Sequence, residues 1–305
     1  MTNAPLLPLT IIMPVFGRPE QLARALSSIA AQPDQPVEVI VVDDCSSPPV
    51  SIDPATIGGL TVRIIRQPEN RGPAAARNAG IMAAQTEWIS FLDSDDWLLP
   101  STLGARWRMA TEDQARKRDP LAFYACGWID VDQDARPLVS RMPRQGTNGR
   151  DFASGCWFSP GSCVIMNARA IREADLLQDE ALRRFEDFDW FLALGLKGFR
   201  LAIQNIVAVV IERARTQSPA KVEAVAGAIR RKWRSRITDR AMLRRLSAYL
   251  DVECAAANHF AGNRFRAAFF LARSLMTVPR LSLQLSPGWS LEKVSADALV
   301  DIRGR

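Results

Sequence analysis

The chain has 305 residues and a mass of 33.8 kDa, is 48% hydrophobic and 24% charged, and has a mean hydropathy near zero, which excludes collagen, coiled coil and wholesale disorder. No apolar run approaches the ~18 residues of a spanning helix, and Met1–Pro8 lacks the basic and small-residue pattern of a signal peptide, so neither a membrane span nor export is expected. The net charge of +6 is local: residues 221–250 carry nine Lys and Arg against Glu223 and Asp239, and the rest of the chain is close to neutral.

Thr10 to Phe16 is a short apolar run stopped by Gly17, Arg18 and Pro19, the pattern of a buried strand and a turn. Leu22, Leu26 and Ile29 then recur at helical spacing, the stripe of a helix lying on a sheet. Val37 to Val42 is rich in Val and Ile and ends in Asp43-Asp44-Cys45-Ser46-Ser47-Pro48. Strand, helix and strand in such close succession predict a right-handed βαβ unit of a parallel sheet. The alternation continues with strands predicted at 61–66, 87–92, 121–129, 161–166 and 199–211, and helices at 73–84, 101–117 and 185–196. Residues 130–158, rich in Gly, Pro, Arg and Asp, read as a long irregular insertion. After Pro219 only helical patterns remain. The expected organisation is an α/β domain over 1–215 and a basic, helical extension over 216–305.

Ligands of an open α/β sheet bind beyond the carboxyl ends of its strands. Two of those ends are acidic here, Asp43-Asp44 and Asp93-Ser94-Asp95-Asp96. So many carboxylates at one edge repel one another unless a cation neutralises them, and a divalent metal carrying an anionic ligand is the economical answer. Asp93 and Asp95, two residues apart at a strand end, face the same way. Magnesium or manganese would add phosphate oxygens and water to them. The glycine-lysine signature of P-loop enzymes and the G-x-G-x-x-G of dinucleotide binders are absent. Cys45, Cys126, Cys156, Cys163 and Cys254 form no C-x-x-C pair, and His259 is the sole histidine. Neither a zinc site nor an imidazole-activated nucleophile is therefore expected. Each acidic cluster taken alone is explained as well by a turn or a helix cap; the set in one α/β frame points to a site.

Five segments carry a resemblance. Ile12-Met13-Pro14-Val15-Phe16, Val41-Val42-Asp43-Asp44, Asn70-Arg71-Gly72 leading to Ala76-Arg77-Asn78-Ala79-Gly80, Phe91-Leu92-Asp93-Ser94-Asp95-Asp96 and Glu186-Asp187 follow one another over residues 9–215. In order and spacing this resembles the family 2 glycosyltransferases. The resemblance implies a GT-A fold, with a mostly parallel central sheet and flanking helices. It implies inverting transfer from a nucleotide-diphosphate sugar, with a UDP-sugar favoured, to an acceptor hydroxyl, and the loop 130–158 with Trp157-Phe158 is expected on the acceptor side. By the same resemblance Pro14, Val15 and Phe16 line the nucleotide pocket with Arg18 and Ser94 beside the donor, Asp44 accepts from the base, and Arg77 approaches the nucleotide or diphosphate. Asp95 would hold the metal, with Asp93 toward the ribose or the metal shell, and Asp187 would be the general base. Many members carry a histidine three residues before a serine near the domain end; this chain has Arg215 before Ser218. Either fewer protein ligands hold the metal, or Arg215 neutralises the diphosphate itself.

In the C-terminal region Ile229, Trp233 and Ile237 form one apolar stripe among arginines, and Phe260, Phe265, Phe269, Phe270 and Leu271 form a second. Such helices either lie on anionic lipid or pack against the domain or a second copy of the chain, and both readings stay open. No nucleic-acid reader motif accompanies the arginines, which disfavours nucleic acid as a partner. The expectation for the whole chain is a cytoplasmic enzyme, with contact to the inner membrane face and homo-oligomerisation left open, that serves a glycan or lipid-linked acceptor in surface polysaccharide synthesis. Its rivals are a catalytically silent nucleotide-sugar-binding subunit and a membrane-associating module working through the basic helices.

Overall fold

The computed structural model describes residues 6–155, 161–212 and 218–279. Strands β1 (Leu7–Val15), β2 (Pro36–Asp43), β3 (Val62–Arg66) and β4 (Trp88–Phe91) pair in parallel in the order β3-β2-β1-β4. Helices α1 (Pro19–Ala30) and α2 (Pro73–Ala83) connect them. The sheet continues through β8 (Val164–Asn167), β6 (Ala122–Val131), β9 (Arg200–Glu212) and the short β5 (Trp97–Leu98), while β7 (Pro137–Arg141) pairs with β6. From the pairings, β1 to β4, β6 and β9 run one way and β5, β7 and β8 the other, so the mostly parallel sheet is found as expected. The remaining helices are α3 (Leu103–Lys117), α4 (Gly149–Phe152), α5 (Ala168–Glu173), α6 (Glu186–Leu196), α7 (Pro219–Arg234), α8 (Arg240–Phe260) and α9 (Arg264–Thr277). None of the described helices is long and apolar enough to cross a membrane.

Period-2 alternation divides the buried side chains between two cores. Leu9, Ile11 and Met13 of β1 and Val39 and Val41 of β2 face the stripe Leu22, Leu26 and Ile29 of α1 and Leu103 of α3. Ile12, Ile40 and Val42 face the opposite way, onto Ala76 and Ile81 of α2 and a core shared with α6, α7 and α8. Helix α2 owes its close seat on the sheet to small residues. A Cβ on Gly80 would run into the Ile12 side chain.

One expectation changes, and one open choice is decided. Of the segment 130–158, the described part, 130–155, is not structureless: β6 runs on to Val131, β7 folds back on it, and α4 buries Phe152 against Phe123, with ring centroids 5.9 Å apart. Elements of four or five residues are too short to show a period. The C-terminal stripe is buried, with Ile229 at 0%, Trp233 at 4% and Ile237 at 5% exposure in the same core as Phe188 and Trp190. That stripe does not meet lipid. Of the second stripe, Phe270 is buried while Phe260, Phe265 and Phe269 are exposed.

Candidate active site

A cavity of about 810 Å³ opens beyond the carboxyl ends of β1, β2 and β4, a volume in the range of small-molecule sites. Strand geometry makes the opening. The β1–β4 ladder ends at Ile12↔Phe91, with Leu92 N donating to Ile12 O at 3.1 Å, while β1 continues to Val15 beside β2. Pro14 falls on the side where β4 has already left, so its missing N–H costs no ladder bond. The chain then turns at Gly17, whose N–H donates to Ser46 Oγ at 2.9 Å. Pro14, Val15, Phe16 and Arg18 all line the cavity, as do Asp44, Arg77, Asp93, Ser94, Asp95 and Asp187. Every expected site residue among those described is therefore gathered in one place. Arg215 and Trp157-Phe158 lie outside the described residues.

The paired acids after β2 divide the work. Asp43 turns inward, accepting from Ser46 N at 2.8 Å and Val50 N at 3.3 Å and pairing with Arg66. Burial pushes its pKa up, but these hydrogen bonds outweigh it and hold the carboxyl below its ordinary value. Asp44 faces the cavity and accepts from Arg71 N at 2.7 Å and Gly72 N at 2.8 Å. It thereby fixes the loop ahead of α2, where Gly72 takes φ +86° and Pro73 opens the helix. Each Asp44 oxygen keeps a second lone pair.

Arg77, on the buried face of α2 and 3% exposed, is the electrostatic centre. Its Nη2 donates to both oxygens of Asp93, at 2.7 and 3.0 Å, and its Nη1 to Glu186 and to Asp187, both at 3.2 Å. Three carboxylates hold the guanidinium charged against the cost of burial. Asp95 pairs with Arg18 across the mouth of the first turn, yet burial and the charge of Asp93 raise its pKa. Asp96 is buried, accepting from Ser162 Oγ at 2.6 Å and Glu212 N at 3.3 Å. Burial first, then Asp93 and Asp95, push its carboxyl far up, the state of a structural acid.

Asp187 sits in the first turn of α6, after Phe185 in the left-handed region at φ +59°. Its side chain is 23% exposed at the cavity wall. Burial pushes its pKa up, Arg77 pulls it down, and Glu186 and Asp93 push it up again, leaving it at about 7. A carboxylate in that range can take a proton near neutral pH. The cations that the sequence suggests as a metal are in part arginines: Arg18 of the turn after β1, Arg66 of β3 and Arg77 of α2. Residues that reasoning missed are Arg183, Arg184, Tyr249 and Glu253, which also line the cavity; nothing in their local spacing signals it.

Among the described residues no three His, Cys, Asp or Glu side chains converge as a protein-only metal site. An ion that shares phosphate oxygens needs only one or two carboxylates. Asp95 fits that minimal set, with Asp93 beside it already held by Arg77 through both oxygens.

Comparison with known proteins bears on family and fold. The family model for glycosyl transferase family 2 matches residues 10–173. The succinoglycan biosynthesis protein ExoO of Rhizobium meliloti (strain 1021) is 43% identical over 201 residues, covering 64% of this chain and 58% of that protein. The pre-mycofactocin glycosyltransferase of Mycobacterium tuberculosis is 29% identical over 222 residues, 68% of this chain and 43% of that protein. The chain thus spans about half the length of the curated relatives it matches. In fold it is similar to S. aureus TarS 1-349 crystallised with UDP, with a TM-score of 0.58 at 17% identity over 88% of each chain.

Proposed function

The chain belongs to glycosyltransferase family 2 and has the GT-A fold, and on that footing we propose that it is an inverting enzyme, acting in the cytoplasm, that moves a sugar from a UDP-sugar to an acceptor hydroxyl in surface polysaccharide synthesis. The observation that carries this reading is Asp187 at the cavity wall, with a pKa near 7 and tied through Arg77 to Asp93 at the strand ends. Asp187 takes the proton of the acceptor hydroxyl as that oxygen bonds to the anomeric carbon. The bond from that carbon to the diphosphate breaks on the other side, and the electron pair leaves with the nucleotide. Arg77 orients the base with one nitrogen and Asp93 with the other. Pro14, Val15, Phe16 and Asp44 receive the nucleoside, and Arg18 and Ser94 flank the diphosphate. A divalent ion on Asp95 and Asp93 would supply Lewis-acid stabilisation of the leaving diphosphate. The name of ExoO supports polysaccharide synthesis, and the TarS complex supports UDP as the carrier.

The test is thermal unfolding with UDP, GDP, dTDP or CDP, each with and without manganese. A ligand at ~100 times its dissociation constant adds ~2.7 kcal/mol of stability. UDP with manganese is expected to stabilise the wild type and to lose most of that effect in Asp95→Asn. If none of the four nucleotides moves the transition, the donor reading fails.

A further inference from the structure

A helix packed on a core ordinarily turns its apolar side inward and its polar side to water. Helix α9 instead carries an apolar side outward. Phe265, Phe269, Leu271, Leu275 and Met276 fall on one side of it by helical spacing and are all exposed, Phe265 at 96% and Met276 at 75%. Phe260, the last residue of α8, is exposed beside the turn into α9. The polar groups turn inward. Arg266 Nε donates to Glu223 Oε1 of α7 at 2.8 Å, Arg273 Nε to Asp251 Oδ2 of α8 at 2.9 Å, and Ser274 Oγ to Ala248 O at 2.8 Å. Together with the buried Ala267 and Phe270, these bonds fix which side of the helix faces out.

A contiguous exposed apolar face marks an interaction surface, and charge selects its occupant. No Asp or Glu occurs from Cys254 to Pro279. Arg264 is exposed at the start of α9, and the exposed Arg244 reaches its end, where Nη2 donates to Thr277 O at 3.0 Å. Two copies of the chain meeting through this face would bring like charges together with no acid on it to answer them. Anionic headgroups above acyl chains supply both the missing negative charge and the apolar cover. We propose that α9, with Phe260, lies in the plane of an anionic lipid surface. Its apolar side sinks about 5–10 Å into the headgroup boundary, and Arg264 and Arg244 meet the headgroup phosphates. A helix of 14 residues lies on such a surface and does not span it. Phe260 stands about 10 Å along α8 from Glu253 of the cavity wall, so the lipid plane holds the cavity close to it. The inference goes beyond the transferase reading and does not rest on it.

The full-length chain is sedimented with vesicles of phosphatidylcholine alone, and of phosphatidylcholine and phosphatidylglycerol in equal parts. The wild type is expected to bind the mixed vesicles, to bind the neutral ones about tenfold or more weakly, and to be released as salt rises. Phe265→Gln combined with Met276→Gln is expected to weaken binding to the mixed vesicles about tenfold or more. Its thermal midpoint stays at the wild-type value, because both side chains are exposed. Arg264→Gln alone weakens that binding about fivefold. No binding by the wild type, equal binding to neutral vesicles, or undiminished binding by the double variant each overturns the proposal. A wild type that is dimeric without lipid and becomes monomeric in the double variant gives the face to a second copy of the chain. A double variant with a lowered thermal midpoint gives it to another segment of the same chain. Either result overturns the lipid assignment.

Discussion

As the proposed base, Asp187 must be ionised to accept a proton, so its pKa is expected to set the acid limb of the reaction. Burial raises that pKa, Arg77 lowers it, and the balance lies at about 7. Below that value kcat/KM is expected to fall about tenfold per pH unit, and above it to level off. Arg77→Gln removes a cation that favours the ionised form, so its limb moves to higher pH. Asp187→Asn loses a factor of about 10²–10⁴ and the limb itself, with UDP affinity retained. UDP release measured from pH 5 to 9 checks all three, and an Arg77→Gln limb at or below that of the wild type would sink the assignment. Asp93, Asp95 and Asp187 are legible in the sequence because spacing and family order mark them. The partners of Arg77 are not: the resemblance sends it to the nucleotide or diphosphate, while packing of α2 on the sheet turns it onto Asp93, Glu186 and Asp187. A residue's partners across the fold leave no trace in its neighbours along the chain.

Helix α6 carries the proposed base, and α7 holds α6 in place. Lys232 Nζ donates to Asp189 Oδ2 at 2.5 Å and Asp179 Oδ2 at 2.7 Å, and Trp233 Nε1 donates to Asp189 Oδ1 at 2.7 Å. Asp189 is 2% exposed, and its burial outweighs both partners, so its pKa remains raised. In Lys232→Met the carboxyl can therefore take up a proton rather than stay charged and unpaired. The expected cost at pH 8 is about 1–3 kcal/mol, below the figure for a stranded buried charge. The sign follows from the same shift. As pH falls through the raised folded pKa, Asp189 protonates in the wild type too, and the ion pair that distinguishes the two proteins is lost. The gap between wild type and Lys232→Met should then narrow toward pH 5 in urea unfolding; a gap that widens there would show that the Lys232–Asp189 pair does not carry it. Part of the basic run at 221–250 is thus spent on internal pairs, Lys232 with Asp189 and Arg230 with Asp251. Net charge alone reads it as a solvated or lipid-facing surface.

At the scale of the molecule, alternation of strand and helix is enough to read the parallel half of the sheet, because β1, β2 and β4 are continuous, largely apolar runs. The short β5 and β7 carry no readable period, and the packing of the C-terminal helices depends on which side of each stripe meets the sheet layer. Val222, Ile229, Trp233, Leu246 and Leu250 lie in one core with Ile12, Phe91, Phe188 and Trp190, so one core draws on residues from both sides of the expected boundary. Large apolar side chains in such a core are worth about 2–5 kcal/mol each against deletion, and whole domains are stable by only about 5–15 kcal/mol. Ending the chain at Gln217 removes several of these groups at once and exposes the face of α6 that they cover. The full-length chain is therefore expected to unfold in a single transition, and a 1–217 chain to lose near-UV circular dichroism, bind an apolar dye and melt without cooperativity. A 1–217 chain that keeps a sharp transition and binds UDP like the full-length protein would show instead that the helices are an addition to a self-sufficient catalytic domain. Tyr249 and Glu253 would then line a cavity that completes itself without them.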